Sequence, residues 1–515
     1  MTDHLPRYHQ NTLTLLPINT ATLSKSLEEL RFAVRNGADL ISSNDSIHGQ
    51  WESGGIFKHF PGIALAFLRL DYQSSVLEGE KGSSRDYRHL ALQRVPPGIP
   101  DIPLLPSRLS PMGSSSPVTA VVLRMLAAVA RNRGEDDLNT RLSQHDITCL
   151  HDATSLALKN GPIVPHNGRN MGGDEILFGR AGLLWTLINI RAHQFDEETQ
   201  RSLTPVLDLI PELVRVIIDA GRQGSKDYAE KNGSDDAHPL MYAWVEGYYG
   251  FGAAHGITGI LPAILACKPE EISDFLPVIG DTITALCKLC IASNGHLPMS
   301  FPKFGAGGRP EFVQFCHGSP GLLLLVATAL NSPLLLDHWC PEWDQAIDLA
   351  TARIWEEGIL SKGGGLCHGI AGNAWPWLIL HDFFEYHSKD IDEARYRYFQ
   401  RIGTAEAPDA GYLTSDFFLS KALAFMLHSR ETRPYNITPV SPERDFRMPD
   451  DPYCLFEGLA GTVCAWAETC GVLQARLRKL ELPEGELEND VSFQTARRAE
   501  LGFPFIGGNG VVGMF

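Results

Sequence analysis

Clusters of positive charge and an export signal are both lacking from this 515-residue sequence. No run of lysine and arginine offsets the formal net charge of -17, and such a field repels nucleic-acid phosphates and anionic lipid heads. The first residues lack the basic segment and apolar run of a secretory signal, and Thr2 excludes N-myristoylation. The sequence therefore favours a small substrate or a peptide as partner, and no nucleic acid.

Long apolar runs and a compact cysteine framework are also missing. No uninterrupted apolar stretch reaches the roughly 18 residues of a transmembrane helix, so we expect no transmembrane segment. The ten cysteines are dispersed along the chain, unlike the disulfide framework of a small secreted domain. We therefore expect reduced thiols in a cytoplasmic protein, and a monomer. Hydrophobic residues make up 44% of the sequence, enough for a large core.

One short element recurs along the chain, and it consists of glycine, two residues, a second glycine and a strongly apolar run. Each apolar run is without a polar face, so it predicts a helix buried on all sides. Amphipathic stretches between the copies, such as residues 200–223, predict helices that cover the buried ones. Clear copies begin at Gly179, Gly256, Gly318, Gly369 and Gly458, a degraded copy ends at Gly62, and the weakest lies near Pro117.

This alternation predicts an all-α fold, an (α/α) toroid or double α-barrel of about seven inner and seven outer helices. An open helical solenoid is the alternative, but wholly apolar inner helices favour a closed ring. We expect one domain over residues 1–515. Residues 72–118, rich in glycine, proline and serine, are predicted to form a long loop, and residues 471–515 a tail of uncertain structure.

Cysteine and histidine stand before the first glycine in successive copies. His255, His317 and His368 each precede it directly, and Cys316 and Cys367 precede two of these histidines. Equivalent positions in the repeats of a ring lie at one rim, so these side chains should meet. Two thiolates and one imidazole, with a fourth position open, are the ligand set of a catalytic zinc site. The repeated pattern thus predicts one zinc ion bound by Cys316, Cys367 and His368.

Cysteine in an apolar repeat has a second interpretation, as a small core residue. Two identical Cys-His-Gly elements at equivalent places favour the metal site instead. Cys287 and Cys290 also have metal-like spacing, but they lie inside an apolar helix and no second pair complements them. We expect them to belong to the core.

Four sequence runs resemble the lanthionine synthetase C-like family, and its eukaryotic branch in particular. They are YYGFGAAHGITGIL, QFCHGSPG, GLCHGIAGNAW and LFEGLAG, and the resemblance extends from the N-terminal region to about residue 470. It implies a double α-toroid, zinc on Cys316, Cys367 and His368, and an acid/base role for His255. Departures from the family pattern are Phe315, where many relatives have tryptophan, the eroded copy near Pro117, and a C-terminal tail without counterpart. The eroded copy and the tail are not expected to touch the zinc set, but both are expected to reshape the substrate entrance.

The resemblance implies roles for four further polar residues. Glu175 stands where bacterial cyclases place a catalytic aspartate, although a solvated carboxylate at a helix start is an equal alternative. Lys362 resembles a position that binds glutathione or phosphate. Arg7 resembles the family's N-terminal arginine, which folds over the site, although a frayed terminus is the alternative. His317 is expected beside the metal, unless a neighbour exchanges roles with it.

The family's reaction adds a thiol to an α,β-unsaturated amino acid. For this chain the resemblance implies zinc-dependent transfer of glutathione to dehydroalanine or dehydrobutyrine residues in a protein or peptide. Zinc suits this chemistry because a free thiol has a pKa of about 8.5 and only the thiolate attacks. His255 would then protonate the α carbon. The alternatives are a non-catalytic glutathione-binding adaptor and, by fold analogy alone, a prenyltransferase-like subunit.

Overall fold

The computed structural model describes residues 5–45, 54–78, 85–132, 140–303, 311–403, 412–438 and 445–515. The first helices are α1 Thr20–Asn44, α2 Phe60–Tyr72, α3 Ser74–Leu77, α4 Tyr87–Leu92, α5 Pro117–Asn132, α6 Gln144–Lys159, α7 Arg180–Arg191, α8 Glu197–Leu207, α9 Ile210–Asn232 and α10 Ile257–Leu265. The remaining helices are α11 Pro269–Ile272, α12 Leu276–Ala292, α13 Ser319–Leu330, α14 Pro341–Glu357, α15 Ile370–Tyr386, α16 Ser388–Ile402, α17 Ser415–His428, α18 Leu459–Glu481 and α19 Val491–Arg498.

Seven of the described helices form an inner ring, and each begins at one copy of the glycine element. In order of contact around the ring they are α7, α10, α13, α15, α18, α2 and α5. The hydroxyl of Ser110 donates a hydrogen bond to the carbonyl of Ile176 (2.7 Å) and joins the segment before α5 to the segment before α7. The two ends of the series therefore meet, which confirms a toroid rather than an open solenoid.

The glycine pairs allow the chain to fold back tightly over each inner helix. The first glycine is the N-cap residue of α7, α10, α13, α15 and α18. A Cβ atom on the second glycine would overlap a backbone carbonyl six residues earlier, as Gly372 shows with Leu366 and Gly461 with Leu455. Only glycine permits this approach, because the carbonyl occupies the space that any side chain would take.

Seven of the described helices pack around the inner ring, and most of them are amphipathic: α1, α4, α6, α9, α12, α14 and the largely buried α17. Helix α9 illustrates the pattern, since Leu213, Val214, Ile217 and Ile218 are buried at helical spacing. The amphipathic stretch over residues 200–223 is divided between α8 and α9. One continuous apolar core extends through the structure from Leu23 to Phe515.

A small antiparallel sheet stands beside the ring, where the sequence showed few strand signals. Its strands are β1 Ile163–His166, β2 Arg169–Gly172, β3 Ala243–Val245, β4 Tyr248–Gly250 and β5 Ser300–Phe301, hydrogen-bonded in that order. The register pairs Val164 with Met171 and Tyr249 with Phe301. The strands were missed because none exceeds four residues, too few for an alternating pattern to appear.

The predicted long loop over residues 72–118 is wrong in part. Tyr72 still belongs to α2, α3 and α4 follow within the segment, and Pro117 begins α5. Residues 79–84 lie outside the described part of the chain. Helix α4 covers α2 with the buried side chains of Tyr87 and Ala91, which explains why a segment rich in turn residues still contains helix.

The tail over residues 471–515 contains helix and contributes part of its length to the core. Helix α18 continues to Glu481 and α19 packs against it. Phe503 and Phe505 are completely buried. Phe315 is buried as well, and neither it nor residues 502–515 line the cleft that contains Cys316, Cys367 and His368. Ile506, Gly508 and Val511 of the tail line a separate cleft of about 360 Å³. The expectation that the tail reshapes the substrate entrance is therefore wrong for the cleft at the predicted zinc site.

One segment, Pro269–Ala292, is long and apolar enough to cross a membrane by length and composition only. The sequence alone did not predict this segment as a candidate span, because acidic residues interrupt its apolar residues. The segment consists of α11, a 3-10 turn and α12, and α12 packs against α14 on the outside of the ring. Its apolar side, with Ile279, Ile283 and Leu286, is buried there.

Candidate metal centre and active site

Backbone hydrogen bonds join neighbouring repeats at the rim of the ring. The N–H of Cys367 donates to the carbonyl of Phe456 (2.7 Å), and the N–H of Cys316 donates to the carbonyl of Cys367 (3.2 Å). The N–H of Ala253 donates to the carbonyl of Phe315 (3.3 Å) in the same way. This ladder holds equivalent positions of the repeats at one level and brings their polar side chains together.

Cys316, Cys367 and His368 meet at this rim, with ligand atoms all within 4.8 Å of one another. They are the one such group of three found in the described part of the chain. Burial alone would raise the pKa of Cys316, but the Cys367 thiol and the rings of His317 and His368 hold it well below its ordinary value. Burial and the adjacent Cys316 raise the pKa of Cys367.

This donor set fits a zinc ion. Zinc selects thiolate and imidazole ligands. Here the thiolate is already favoured at Cys316, a second thiol is in contact with it, and His368 supplies the imidazole. The negative charge of Cys316 opposes deprotonation of Cys367. A bound cation would offset this charge and favour the thiolate of Cys367 as well. By contrast, Cys287 and Cys290 lie buried in α12 as core residues.

His255 forms a buried pair with Glu175 beside the three ligands. Its Nδ1 atom lies 2.8 Å from Oε2 of Glu175, whose side chain is 1% exposed. Burial opposes a charge on His255, but the Glu175 carboxylate offsets this effect and raises the pKa of the histidine. The interpretation of Glu175 as a solvated carboxylate is wrong, because the loop before α7 directs it into the interior.

Aromatic rings enclose His255 and His317 on the side of the sheet. Trp244 of β3 lies 5.4 Å from His255 and 5.3 Å from His317, measured between ring centroids. The two histidine rings are stacked on each other at 5.6 Å. Burial and the neighbouring cationic groups lower the pKa of His317 against the opposing effect of Cys316, which disfavours a positive charge on this ring.

A cleft of about 320 Å³ opens over these groups. Its wall includes the candidate metal set, His255 and His317, with Phe57 and Phe178 as apolar contacts. At its edge Lys58 pairs with Glu457 (3.1 Å). Burial would lower the pKa of Lys58, but the charge and hydrogen bond of Glu457 raise it.

A second, smaller cleft of about 100 Å³ is lined by three cations, Arg7, Lys362 and Arg447, and by two carboxylates, Glu311 and Glu357. Both carboxylates pair with His296 (3.3 and 3.2 Å). Phe312 joins the two clefts, since Arg7 lies 5.3 Å from its ring and His317 lies 6.5 Å from the same ring. The positive charge of Lys362 acts to lower the pKa of both His317 and Cys367. Three cationic side chains therefore face a cleft next to the candidate metal set.

Arg7 is held in place by the chain around it. The N–H of Ser361 donates to the carbonyl of Arg7 (3.1 Å), and the N–H of His9 donates to that of Ile359 (2.8 Å). Tyr8 forms a single antiparallel bridge with Leu360. The N-terminal segment is thus docked beside Lys362 and is not frayed at Arg7.

Three neighbours of the site escaped sequence reasoning. Arg447 and Trp244 lie outside the repeated glycine elements, and their neighbourhood depends on how loops fold over the rim. Arg447 had one usable signal, because it stands a few residues before the LFEGLAG run. Lys58 had a stronger one, because it directly precedes the degraded copy that ends at Gly62, as His368 precedes Gly369.

Comparison with known proteins places this fold and motif order in a family. Residues 119–405, more than half of the chain, match the family described as lanthionine synthetase C-like protein. The chain belongs to the lanthionine synthetase C-like family. The resemblance drawn from the sequence is thereby confirmed, and two of the curated relatives that match are eukaryotic.

Two relatives within the lanthionine synthetase C-like family match over similar spans. The chain is 26% identical over 321 residues to the glutathione S-transferase LANCL1 of Danio rerio, which covers 61% of this chain and 64% of that protein. It is 26% identical over 324 residues to the LanC-like protein GCL1 of Arabidopsis thaliana, and this match covers 62% of this chain and 60% of that protein. The matched region thus spans less than two thirds of either relative.

A solved structure of a nisin cyclase also matches, with a TM-score of 0.40 and 15% sequence identity. This match covers 77% of the present chain and 98% of the cyclase.

Proposed function

We propose that this protein is a zinc-dependent enzyme that transfers glutathione to dehydroalanine or dehydrobutyrine residues in proteins or peptides. The observation that carries the proposal is the meeting of Cys316, Cys367 and His368 beside the His255–Glu175 pair. A thiol-activating set and a proton donor stand together in one cleft. The name of the Danio rerio relative, a glutathione S-transferase, supports glutathione as the thiol.

Cys316, Cys367 and His368 would hold the zinc ion. Bound zinc lowers the pKa of a coordinated thiol and so supplies a thiolate near neutral pH. In the net reaction the sulfur bonds to the β carbon, the carbon–carbon double bond becomes single and the α carbon gains one proton. The S–H bond of the thiol supplies both new substituents, so no oxidant or reductant is consumed.

His255 would deliver the proton to the α carbon. Its Nδ1 atom is engaged by Glu175, which leaves Nε2 as the donor toward the cleft. Glu175 favours the protonated ring and fixes its orientation. Trp244 and His317 stack beside the ring and limit the access of water to it.

The cationic cleft would bind the two carboxylates of glutathione. Arg7, Lys362 and Arg447 line this cleft, and their charges complement the two carboxylates, while Glu311 and Glu357 in the same lining suit the ammonium group of the tripeptide. An extended tripeptide spans about 10 Å, and in this proposal it extends past Phe312 into the cleft of the candidate metal set. None of the ten cysteines, all in the described part of the chain, forms a disulfide, which supports our proposal of a cytoplasmic location. That the protein is a monomer stays a prediction.

The test combines zinc content with product formation. We expect one zinc per chain, and a mass gain of one glutathione on a dehydrobutyrine peptide. Cys316→Ala should lose both, whereas Cys290→Ala, at a buried cysteine in α12, should keep both. Tight glutathione binding without adduct would instead establish a non-catalytic adaptor. A folded protein that binds no zinc would contradict the proposal.

A further inference from the structure

The tail places one aromatic ring beneath the candidate metal set. The ring of Phe503 is stacked on that of Phe315, with centroids 4.5 Å apart and an interplanar angle of 23°. It meets Trp375 edge-on at 5.2 Å and Phe456 at 6.3 Å. All four of these residues are fully buried. Phe503 of the tail thus packs in the interior of the ring, below the rim that carries the candidate metal set.

Two of these partners adjoin the cysteines directly. Phe315 is the residue before Cys316 in the chain, and the carbonyl of Phe456 accepts the hydrogen bond from the N–H of Cys367. Phe503 therefore contacts the backbone support of both cysteines, which belong to neighbouring repeats. A change in its volume would act on the relative position of the two sulfur atoms.

The position of Phe503 is fixed from outside the site. The carboxylate of Glu468 in α18 accepts hydrogen bonds from the N–H groups of Leu501 (2.9 Å) and Gly502 (2.7 Å). A tight turn follows, in which Phe503 and Gly507 exchange two backbone hydrogen bonds (2.9 and 2.7 Å). The ring of Phe503 is therefore presented by a braced backbone rather than by a loose end.

We infer that Phe503 is a positioning residue for the metal ligands, and that the tail sets the geometry of Cys316 and Cys367 from below. This inference rests on the metal site of the proposed function. Phe503 touches no substrate, so its effect passes through Phe315 and Phe456. Groups that orient metal ligands change metal affinity by about 10–100-fold when they are altered.

Phe505 provides a matched control in the same turn. It is as deeply buried as Phe503, but its ring faces Phe515 at 5.8 Å. Its φ of 63° is equally unfavourable for phenylalanine and leucine, so Phe505→Leu adds no new backbone strain. Phe503→Leu and Phe505→Leu remove similar volume from one segment.

The experiment compares both variants of the full-length protein by zinc competition titration and by the absorption spectrum of the cobalt-substituted site. We expect Phe503→Leu to weaken zinc binding about tenfold and to shift the thiolate–cobalt bands. Phe505→Leu should lower thermal stability to a similar extent and leave affinity and spectrum unchanged. If Phe503→Leu does not fold, Phe503→Met, whose flexible side chain adapts to irregular gaps in a core, replaces it.

Unchanged affinity and spectrum in the folded Phe503 variant would overturn this inference alone. The same would follow if Phe505→Leu disturbed the metal site equally, because the effect would then be general destabilisation. Failure of the unmodified protein to bind zinc would overturn the proposed function together with the inference.

Discussion

The carboxylate of Glu175 and the imidazole of His255 form a 2.8 Å contact between loops of successive clear repeats. Oε1 of Glu175, the other carboxylate oxygen, is buried without a hydrogen-bond partner among the described residues. The charge of Glu175 also acts on Arg108, but its hydrogen bond among the described residues is made with His255. The charge state of His255 therefore depends on Glu175.

Glu175→Gln should move the alkaline limit of activity to lower pH. Burial lowers the pKa of His255 and Glu175 raises it, so loss of the carboxylate leaves the effect of burial alone. A histidine that donates a proton works only while protonated, and activity falls as pH rises through its pKa. A shift of one pKa unit reduces the protonated fraction about tenfold above the limit.

The pH dependence of kcat for adduct formation measures this effect. Glu246→Gln, at an exposed carboxylate just after β3, is the control and should leave the profile unchanged. An unshifted alkaline limb in Glu175→Gln would exclude His255 as the proton donor. Normal zinc content in both variants separates the result from loss of the metal.

The repeats made much of this fold predictable. Glycine pairs with wholly apolar runs marked five inner helices clearly, and the same periodicity identified α2 and α5 despite their eroded sequences. The argument worked because burial on every face leaves a helix without polar positions. Helix α4 and the ordered tail were missed, since turn residues and glycines there gave no helical period.

The residues of the candidate site also form two groups, one that the repeats predict and one that they do not. Cys316, Cys367, His368 and His255 stand at equivalent positions of a repeat, so that symmetry alone brings them to one rim. Arg447 and Trp244 approach from a loop and from a short strand, outside any repeat. Their contacts arise from long-range packing, which no local pattern encodes.

Lys362→Met should weaken the use of glutathione more than the chemical step. The ammonium of Lys362 faces the cationic cleft beside Arg7 and Arg447, and its loss removes one charge-assisted contact with a substrate carboxylate. One such contact corresponds to about 1.5–3 kcal/mol, so KM for glutathione should rise at least about tenfold with kcat nearly preserved.

Steady-state kinetics at varied glutathione concentration give both parameters. Lys226→Met, at an exposed lysine on α9 away from the cleft, is the charge-matched control and should change neither. A Lys362 variant with unchanged KM would show that glutathione binds elsewhere. The difference in KM between the unmodified protein and Lys362→Met should diminish at high salt, because screening weakens the contact between Lys362 and the substrate carboxylate.

Gly372→Ala should damage both stability and zinc binding. A Cβ atom at this second glycine of the repeat would overlap the carbonyl and Cα of Leu366, which directly precedes Cys367. The chain must then move away from α15, at a cost of about 1–3 kcal/mol for overpacking, and the sulfur of Cys367 moves with it. Thermal unfolding and zinc titration measure the two losses.

Gly471→Ala is the matched comparison, inside α18. There a Cβ atom would meet its nearest neighbour, the carbonyl of Ala496, at an ordinary contact distance of 3.4 Å. Because alanine favours helix over glycine, this variant should be more stable by about 0.5–1 kcal/mol and should bind zinc normally. Equal tolerance of alanine at both positions would show that the loop before α15 does not need the close approach, and that the repeated glycines do not fix the position of Cys367.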